Sequence, residues 1–191
     1  MSRWTLTVLV VVGLTGTART TMAEPHDLLT LLVRVTNQTE IPQGPLARAL
    51  AEATRIYNQI GVRLVWTENS AAEYRFTVRI ISKPLGGERV TDLHALGAVP
   101  GTKEKRGSLA YAYFGPIERL ARAAGTDVAV ILGHVIAHEL GHLLLPPDSD
   151  SMLGVMGTGW NRAQVEAAKK GELVFTKGQE KAIREKLENG R

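Results

Sequence analysis

The segment His138-Glu139-Leu140-Gly141-His142 contains the residues best placed to do chemistry. On a helix, two histidines four positions apart project from the same face, about one turn apart. Both imidazoles can then bind one Zn²⁺ ion, and the glutamate beside the first ligand can accept a proton from zinc-bound water. Zinc lowers the pKa of that water toward about 7, which gives hydroxide at neutral pH. The pattern therefore predicts attack on a polarised carbonyl, with Glu139 passing the proton to the leaving amine.

The chain around these residues favours a metal over a chance match. Residues 128–145 form the most apolar stretch of helical length, with a cap at Thr126-Asp127 and a stop at Pro146-Pro147. Ionisable side chains in such a buried helix are costly unless something satisfies them, and a cation would do so. His134 lies one further turn back, where a straight helix cannot easily bend it onto the same tetrahedral ion. We predict that His134 packs behind the ligands.

The remaining pattern predicts the elements that must position this helix. Short apolar or alternating runs predict strands, and apolar residues at helical spacing predict helices. Thr176 with Gln179 three residues later is a capping box that opens a last helix. A Gly/Pro-rich, charged excursion covers 83–107, and long loops of this kind are often functional. The predicted strands are 28–35, 62–66, 74–81 and 109–114, and the predicted helices are 45–60, 116–124, 128–145, 161–170 and 176–187.

Composition and the N-terminus narrow the class of protein. The 191 residues suit one domain, and the absence of cysteine excludes disulfide frameworks, thiolate zinc sites and thiol nucleophiles. Residues 1–23 read as a signal peptide, with Arg3, a short apolar run and a small-x-small end at Ala23, which makes 24–191 the mature domain. Without residues 1–23 the chain has 21 basic and 19 acidic residues. We therefore predict an exported protein, periplasmic or extracellular, without a membrane span after cleavage and without a nucleic-acid partner.

Two other histidines stand apart from the motif. His26 and His94 are isolated in the sequence and are predicted to be solvated. The two histidines of the motif leave the predicted zinc site one ligand short.

At this point the sequence resembles the metzincin metalloproteases, whose pattern is H-E-x-x-H-x-x-G-x-x-H/D followed by a methionine-containing turn. Asp148 stands at the third-ligand position of that pattern, and an aspartate there resembles the snapalysin branch. Leu145 occupies the position of the family glycine, which lets the chain turn back sharply to the metal. That departure puts the assignment of Asp148 in question.

A second register resembles short secreted bacterial metzincin-like proteins, with H-E-L-G-H-L-L-L, a turn, then H-S-x-x-G-x-M and a tryptophan. In this register Asp150 replaces the family histidine, and Gly154, Met156 and Trp160 fall into place. The double proline supplies the turn that the missing glycine cannot. Asp150 is therefore the preferred third ligand, and Asp148 stays an alternative.

The resemblance implies an α+β zincin domain. Its twisted, mostly parallel sheet of four or five strands would precede an active-site helix, a Met-turn and a helical tail. Met156 would form the Met-turn floor, with Met152 as the fallback. The strand before the active helix would be a sheet edge, where Leu109, Ala110 and Tyr111 pair with an extended peptide substrate.

Three functions remain open from the sequence. The first is a monomeric, secreted zinc endopeptidase that acts on a protein or peptide. The second is a non-catalytic exported zinc-binding domain, since an aspartate ligand makes zinc a weaker Lewis acid. The third is a thermolysin-like zincin, for which Glu166 is the only well-placed later ligand.

Overall fold

The structure is a computed structural model that describes residues 28–84, 95–101, 107–157 and 159–190. The predicted signal peptide at 1–23, much of the excursion at 83–107, and both isolated histidines, His26 and His94, lie outside the described residues. Within them, no helix combines the length and the apolar character needed to cross a lipid bilayer.

Among the described residues, five strands form one sheet: β1 Leu29–Asn37, β2 Val62–Thr67, β3 Phe76–Ile81, β4 Gly97–Ala98 and β5 Leu109–Tyr113. Their order across the sheet is β2-β1-β3-β5-β4. Neighbouring strands from β2 to β5 run parallel, and β4 runs antiparallel to β5. This confirms the predicted mostly parallel sheet in an α+β arrangement.

Five helices accompany this sheet in the part of the chain that the structure describes, each near its predicted position. They are α1 Gln43–Asn58, α2 Phe114–Ala123, α3 Val128–Leu144, α4 Arg162–Lys169 and α5 Lys177–Glu188. The side chain of Asp127 accepts from the Ala129 amide and begins α3, and Thr176 with Gln179 forms the predicted capping box of α5. The second helix begins at Phe114, two residues before Pro116, since proline needs no amide donor in a first turn.

The apolar helix α3 lies in the centre of the fold, as its sequence predicts. It contacts α1 along much of its length and packs against β5 as well. Gly133 permits the close approach of α1, because a Cβ there would lie 2.7 Å from the carbonyl oxygen of Ala49. Residues such as Ile131, Ile136 and Leu140 have no exposed surface. The core therefore surrounds the helix that carries the histidine pair and holds it rigidly.

The prediction that the strand at 109–112 is the edge of the sheet is wrong. The fifth strand pairs with β3 from Leu109 to Tyr113, and its other side pairs with β4 through Gly97↔Ala112 and Ala98↔Tyr111. The outer strand of the described sheet is β4, a two-residue strand inside the excursion predicted as irregular. A peptide that adds to the described edge on this side would pair with β4, not with Leu109, Ala110 and Tyr111 of β5.

Candidate metal centre

Two histidines and one aspartate bring their ligand atoms to one point. Nε2 of His138 lies 2.9 Å from Nε2 of His142, and Oδ1 of Asp150 lies 3.8 Å from the first and 3.3 Å from the second. Two ligand atoms at about 2.1 Å from one tetrahedral ion lie about 3.4 Å apart, so these distances suit a shared ion. The His138-His142-Asp150 group, which we call the metal group, could therefore hold a metal ion.

The protonation pattern of the histidines also suits a cation. Nδ1 of His138 lies 2.8 Å from the carbonyl oxygen of Val155, and a carbonyl can only accept. That nitrogen therefore carries the proton, and burial lowers the pKa of His138, which keeps its Nε2 lone pair free. Nδ1 of His142 lies 3.3 Å from Oγ of Ser149. When this hydroxyl accepts a hydrogen bond from Nδ1, the Nε2 lone pairs of both histidines face the Asp150 carboxylate. A cation at this point would offset the repulsion among these three electron-rich groups.

The structure separates the candidate third ligands. Asp150 belongs to the metal group, whereas Asp148 and Glu166 lie outside it. Asp148 has a φ of 59°, a left-handed conformation that aspartate tolerates better than most residues, in the turn after the double proline. Glu166 lies on α4, where the Lys169 ammonium is 2.9 Å from its carboxylate. The geometry thus favours the second sequence register over the first and over the thermolysin-like scheme.

Residues 150–157 form a closed turn beside the metal group, which we call the 150–157 turn. The amide of Ser151 donates to the Met156 carbonyl at 2.9 Å, and Ser151 forms a parallel bridge with Gly157. Met156 is fully buried, and its sulfur lies so close to Gly141 that a Cβ there would clash with it. Met152, the fallback for the Met-turn residue, is 91% exposed. Of the two methionines, only Met156 is buried, and it packs against α3 at Gly141.

Glu139 is less exposed than any residue of the metal group. Its side chain is buried, and burial, together with the negative charge of Asp150, raises the pKa of Glu139 to about 8. Gly97 of β4 lies directly against it, because a Cβ at Gly97 would be 2.5 Å from Oε1 of Glu139 and 2.6 Å from the Tyr111 carbonyl oxygen. Sequence reasoning missed Gly97; the only available signal was a glycine inside a long excursion. This close approach makes β4 the cover of the Glu139 carboxylate.

A side chain at Gly97 is expected to disturb this arrangement. Gly97→Ala must displace either the Glu139 carboxylate or β4, and such overpacking typically costs about 1–3 kcal/mol of unfolding free energy. Gly178→Ala is the matched control, since a Cβ there meets nothing within 4 Å. Chemical denaturation of both variants measures the difference. Equal stability of the two variants would contradict the close contact.

His134 is buried behind the metal group, as the sequence predicts for a packed histidine. Its Nδ1 lies 2.8 Å from the Val130 carbonyl oxygen, and its ring meets Trp160 edge-on at 6.1 Å between centroids. Among the described residues its Nε2 makes no hydrogen bond of ordinary geometry. Burial lowers the pKa of His134; Glu52, 3.6 Å from Nδ1, opposes that shift, and the charge of Arg55 adds to it. His134 is therefore neutral in the folded chain at neutral pH.

The buried His134 predicts a loss of stability in acid. Below about pH 6.5 the unfolded chain binds a proton at this histidine that the folded chain does not, so stability falls as pH falls. The slope is at most about 1.4 kcal/mol per pH unit for one group. Chemical denaturation of the parent and of His134→Leu, with chelator present, at pH 8 and at pH 5 isolates the contribution of this histidine to the loss of stability. We expect the parent to lose more stability than the variant on acidification; an equal loss would contradict the assignment.

Comparisons with known proteins add no relationship to this geometry. No protein-family model matches the chain, and a search of curated proteins finds no significant match.

Proposed function

We propose that this protein is a zinc-dependent endopeptidase of the metzincin type. The observation that supports this most strongly is the convergence of His138, His142 and Asp150, with Glu139 next to the first of them. Three protein ligands leave one position of a tetrahedral ion open, the arrangement typical of catalytic zinc. The side chains of the metal group are 16–50% exposed, so the group is in contact with solvent.

Each residue of the site has a separate role in the proposed peptide hydrolysis. Zinc, when bound, supplies a Lewis acid that polarises a carbonyl and acidifies water. His138 is held in its ligating tautomer by the Val155 carbonyl at 2.8 Å. Glu139 takes a proton from the attacking water and delivers it to the leaving amine. To accept that proton Glu139 must be ionised, and a cation held by the metal group would lower the pKa of Glu139, against the burial and the Asp150 charge that raise it.

The family assignment has separate support. The His-Glu-x-x-His spacing, a buried methionine packed against α3 at Gly141 and a mostly parallel sheet with an antiparallel outer strand all agree with a metzincin-like domain. The departure at Leu145 is compensated by the turn at Pro146-Pro147, which brings Asp150 rather than Asp148 to the metal group.

The test is metal content together with hydrolysis. We expect the purified mature chain to contain about one zinc ion and to cleave a fluorogenic peptide mixture. 1,10-Phenanthroline should stop the cleavage, and added Zn²⁺ should restore it. A chain that is metal-free after mild purification, or that holds iron and cleaves no peptide, would contradict the proposal, since two histidines and a carboxylate also suit non-haem iron.

A non-catalytic zinc-binding domain is the second candidate, and the cover over Glu139 favours it. A base that is 5% exposed beneath Gly97 must be uncovered before it meets a substrate. This candidate predicts bound zinc with no turnover of any peptide. Peptide hydrolysis that a chelator stops distinguishes the two candidates, because a domain without catalytic function has no hydrolysis for the chelator to inhibit.

We also propose export of the chain. The supporting observation is the sequence of residues 1–23, with its positive start, apolar run and Ala23 end. N-terminal sequencing of protein recovered from periplasmic and culture-medium fractions should find Glu24 as the first residue. Gel filtration of the same material is expected to give a monomer.

A further inference from the structure

The two imidazoles of the metal group differ in the partner of their Nδ1 atoms. Nδ1 of His138 faces the Val155 carbonyl oxygen at 2.8 Å, whereas Nδ1 of His142 faces the Ser149 hydroxyl at 3.3 Å. A carbonyl oxygen can only accept a hydrogen bond, but a hydroxyl can either donate or accept one. The tautomer of His138 is therefore fixed by its partner, while the contact with Ser149 permits either tautomer of His142.

The Nε2 atoms of the two rings lie 2.9 Å apart, which is hydrogen-bond distance. Nε2 of His138 carries no proton, so in the metal-free chain a His142 ring with its proton on Nε2 can donate to it. Oδ1 of Asp150, 3.3 Å from Nε2 of His142, is a second acceptor for the same proton. In this tautomer Nδ1 of His142 is the acceptor, and the Ser149 hydroxyl donates to it. The metal-free site therefore favours the proton of His142 on Nε2.

A cation in the metal group requires the other tautomer of His142. The cation needs the lone pair of Nε2, so the proton of the neutral ring must lie on Nδ1. In this exchange one proton leaves Nε2 for solvent, another proton from solvent joins Nδ1, and the ring stays neutral. The Nδ1–H group then donates to the oxygen of Ser149. The hydroxyl has only to rotate, because the oxygen that donated to Nδ1 before now accepts from it.

We propose that Ser149 is a positioning residue of the metal group, whose hydroxyl lets His142 exchange tautomers when zinc replaces the hydrogen bond between the two histidines. This rests on the metal binding in the proposed function and not on peptide hydrolysis. The chain after the double proline then does more than supply the ligand Asp150. Its Ser149 hydroxyl and its Val155 carbonyl also hold the two rings, one on each histidine.

The experiment compares Ser149→Thr with Ser149→Val, two side chains of nearly the same shape of which only threonine has a hydroxyl. Competition with a chromogenic chelator at pH 8 measures the zinc affinity of the parent and of both variants. We expect Ser149→Thr to match the parent and Ser149→Val to bind zinc about ten-fold more weakly, as for other outer partners of metal-bound histidines. Circular dichroism checks that both variants fold.

The tautomers have a readout of their own. The ring-nitrogen chemical shifts of the ¹⁵N-labelled parent, recorded at pH 8 with chelator and then with zinc, locate the proton on each imidazole. We expect the proton of His142 to lie on Nε2 in chelator and on Nδ1 with zinc. The proton of His138 should stay on Nδ1 in both, because the Val155 carbonyl can only accept.

The outcomes separate this inference from the proposed function. If His142 already carries its proton on Nδ1 in chelator, or if Ser149→Thr and Ser149→Val bind zinc equally well, the inference is overturned, whether or not the parent cleaves a peptide. If zinc moves the proton and only Ser149→Val binds zinc more weakly, the inference holds, even where a parent without hydrolysis refutes the proposed function. A parent that binds no zinc overturns both.

Discussion

Replacement of Glu139 by glutamine is expected to leave zinc bound and to reduce peptide hydrolysis by about 10²- to 10⁴-fold. Glutamine has nearly the same shape but cannot take a proton from water. The loss should fall on kcat, because Glu139 does not belong to the metal group. Steady-state cleavage with parallel metal analysis measures both quantities. Glu166→Gln is the control, since that exposed side chain pairs with Lys169 on α4.

The same variant has a second readout that needs no substrate. In the metal-free folded chain the pKa of Glu139 is about 8, well above its unfolded value of about 4.5. Protonated Glu139 stabilises the folded chain relative to the unfolded chain. This stabilisation is complete below about pH 4.5 and is lost as the pH rises through 8. Glu139→Gln should therefore gain stability relative to the parent on alkalinisation, by several kcal/mol at pH 9. Cleavage by the variant at the parental rate, or a constant stability difference with pH, would contradict this account.

Removal of the third ligand is expected to have the other large effect. Asp150→Ala should weaken zinc binding by more than 100-fold, because a direct ligand contributes more than the outer partners whose loss costs about 10- to 100-fold. Asp148→Ala is the matched control, an aspartate two residues away that lies outside the metal group. His138→Ala and His142→Ala should weaken binding at least as much as Asp150→Ala. Competition with a chromogenic chelator gives the affinities, and circular dichroism checks that each variant folds.

The reverse order of the aspartates would identify a different site. If Asp148→Ala weakens zinc binding more than Asp150→Ala, the first metzincin register is right and the turn after the double proline differs from this structure. A loss confined to Glu166→Ala would instead indicate the thermolysin-like scheme.

The sequence by itself determined the histidine pair, the glutamate beside it and the elements around them. These features depend on local periodicity: 3.6 residues per turn place His138 and His142 on one face whatever the helix packs against. The apolar character of residues 128–145 predicted burial for the same local reason, and the capping pattern at Thr176 predicted where α5 begins.

Tertiary structure alone decided between Asp148 and Asp150, and between Met152 and Met156. The path of residues 145–157 is set by bonds to distant segments, such as Val155 to Val174 and Ser151 to Gln179, and no local pattern encodes these. The same holds for β4, whose two residues carry no strand signal but cover Glu139 once β5 supplies hydrogen bonds. Periodicity acts within one element, whereas the final ligand and the cover over the base depend on which elements meet.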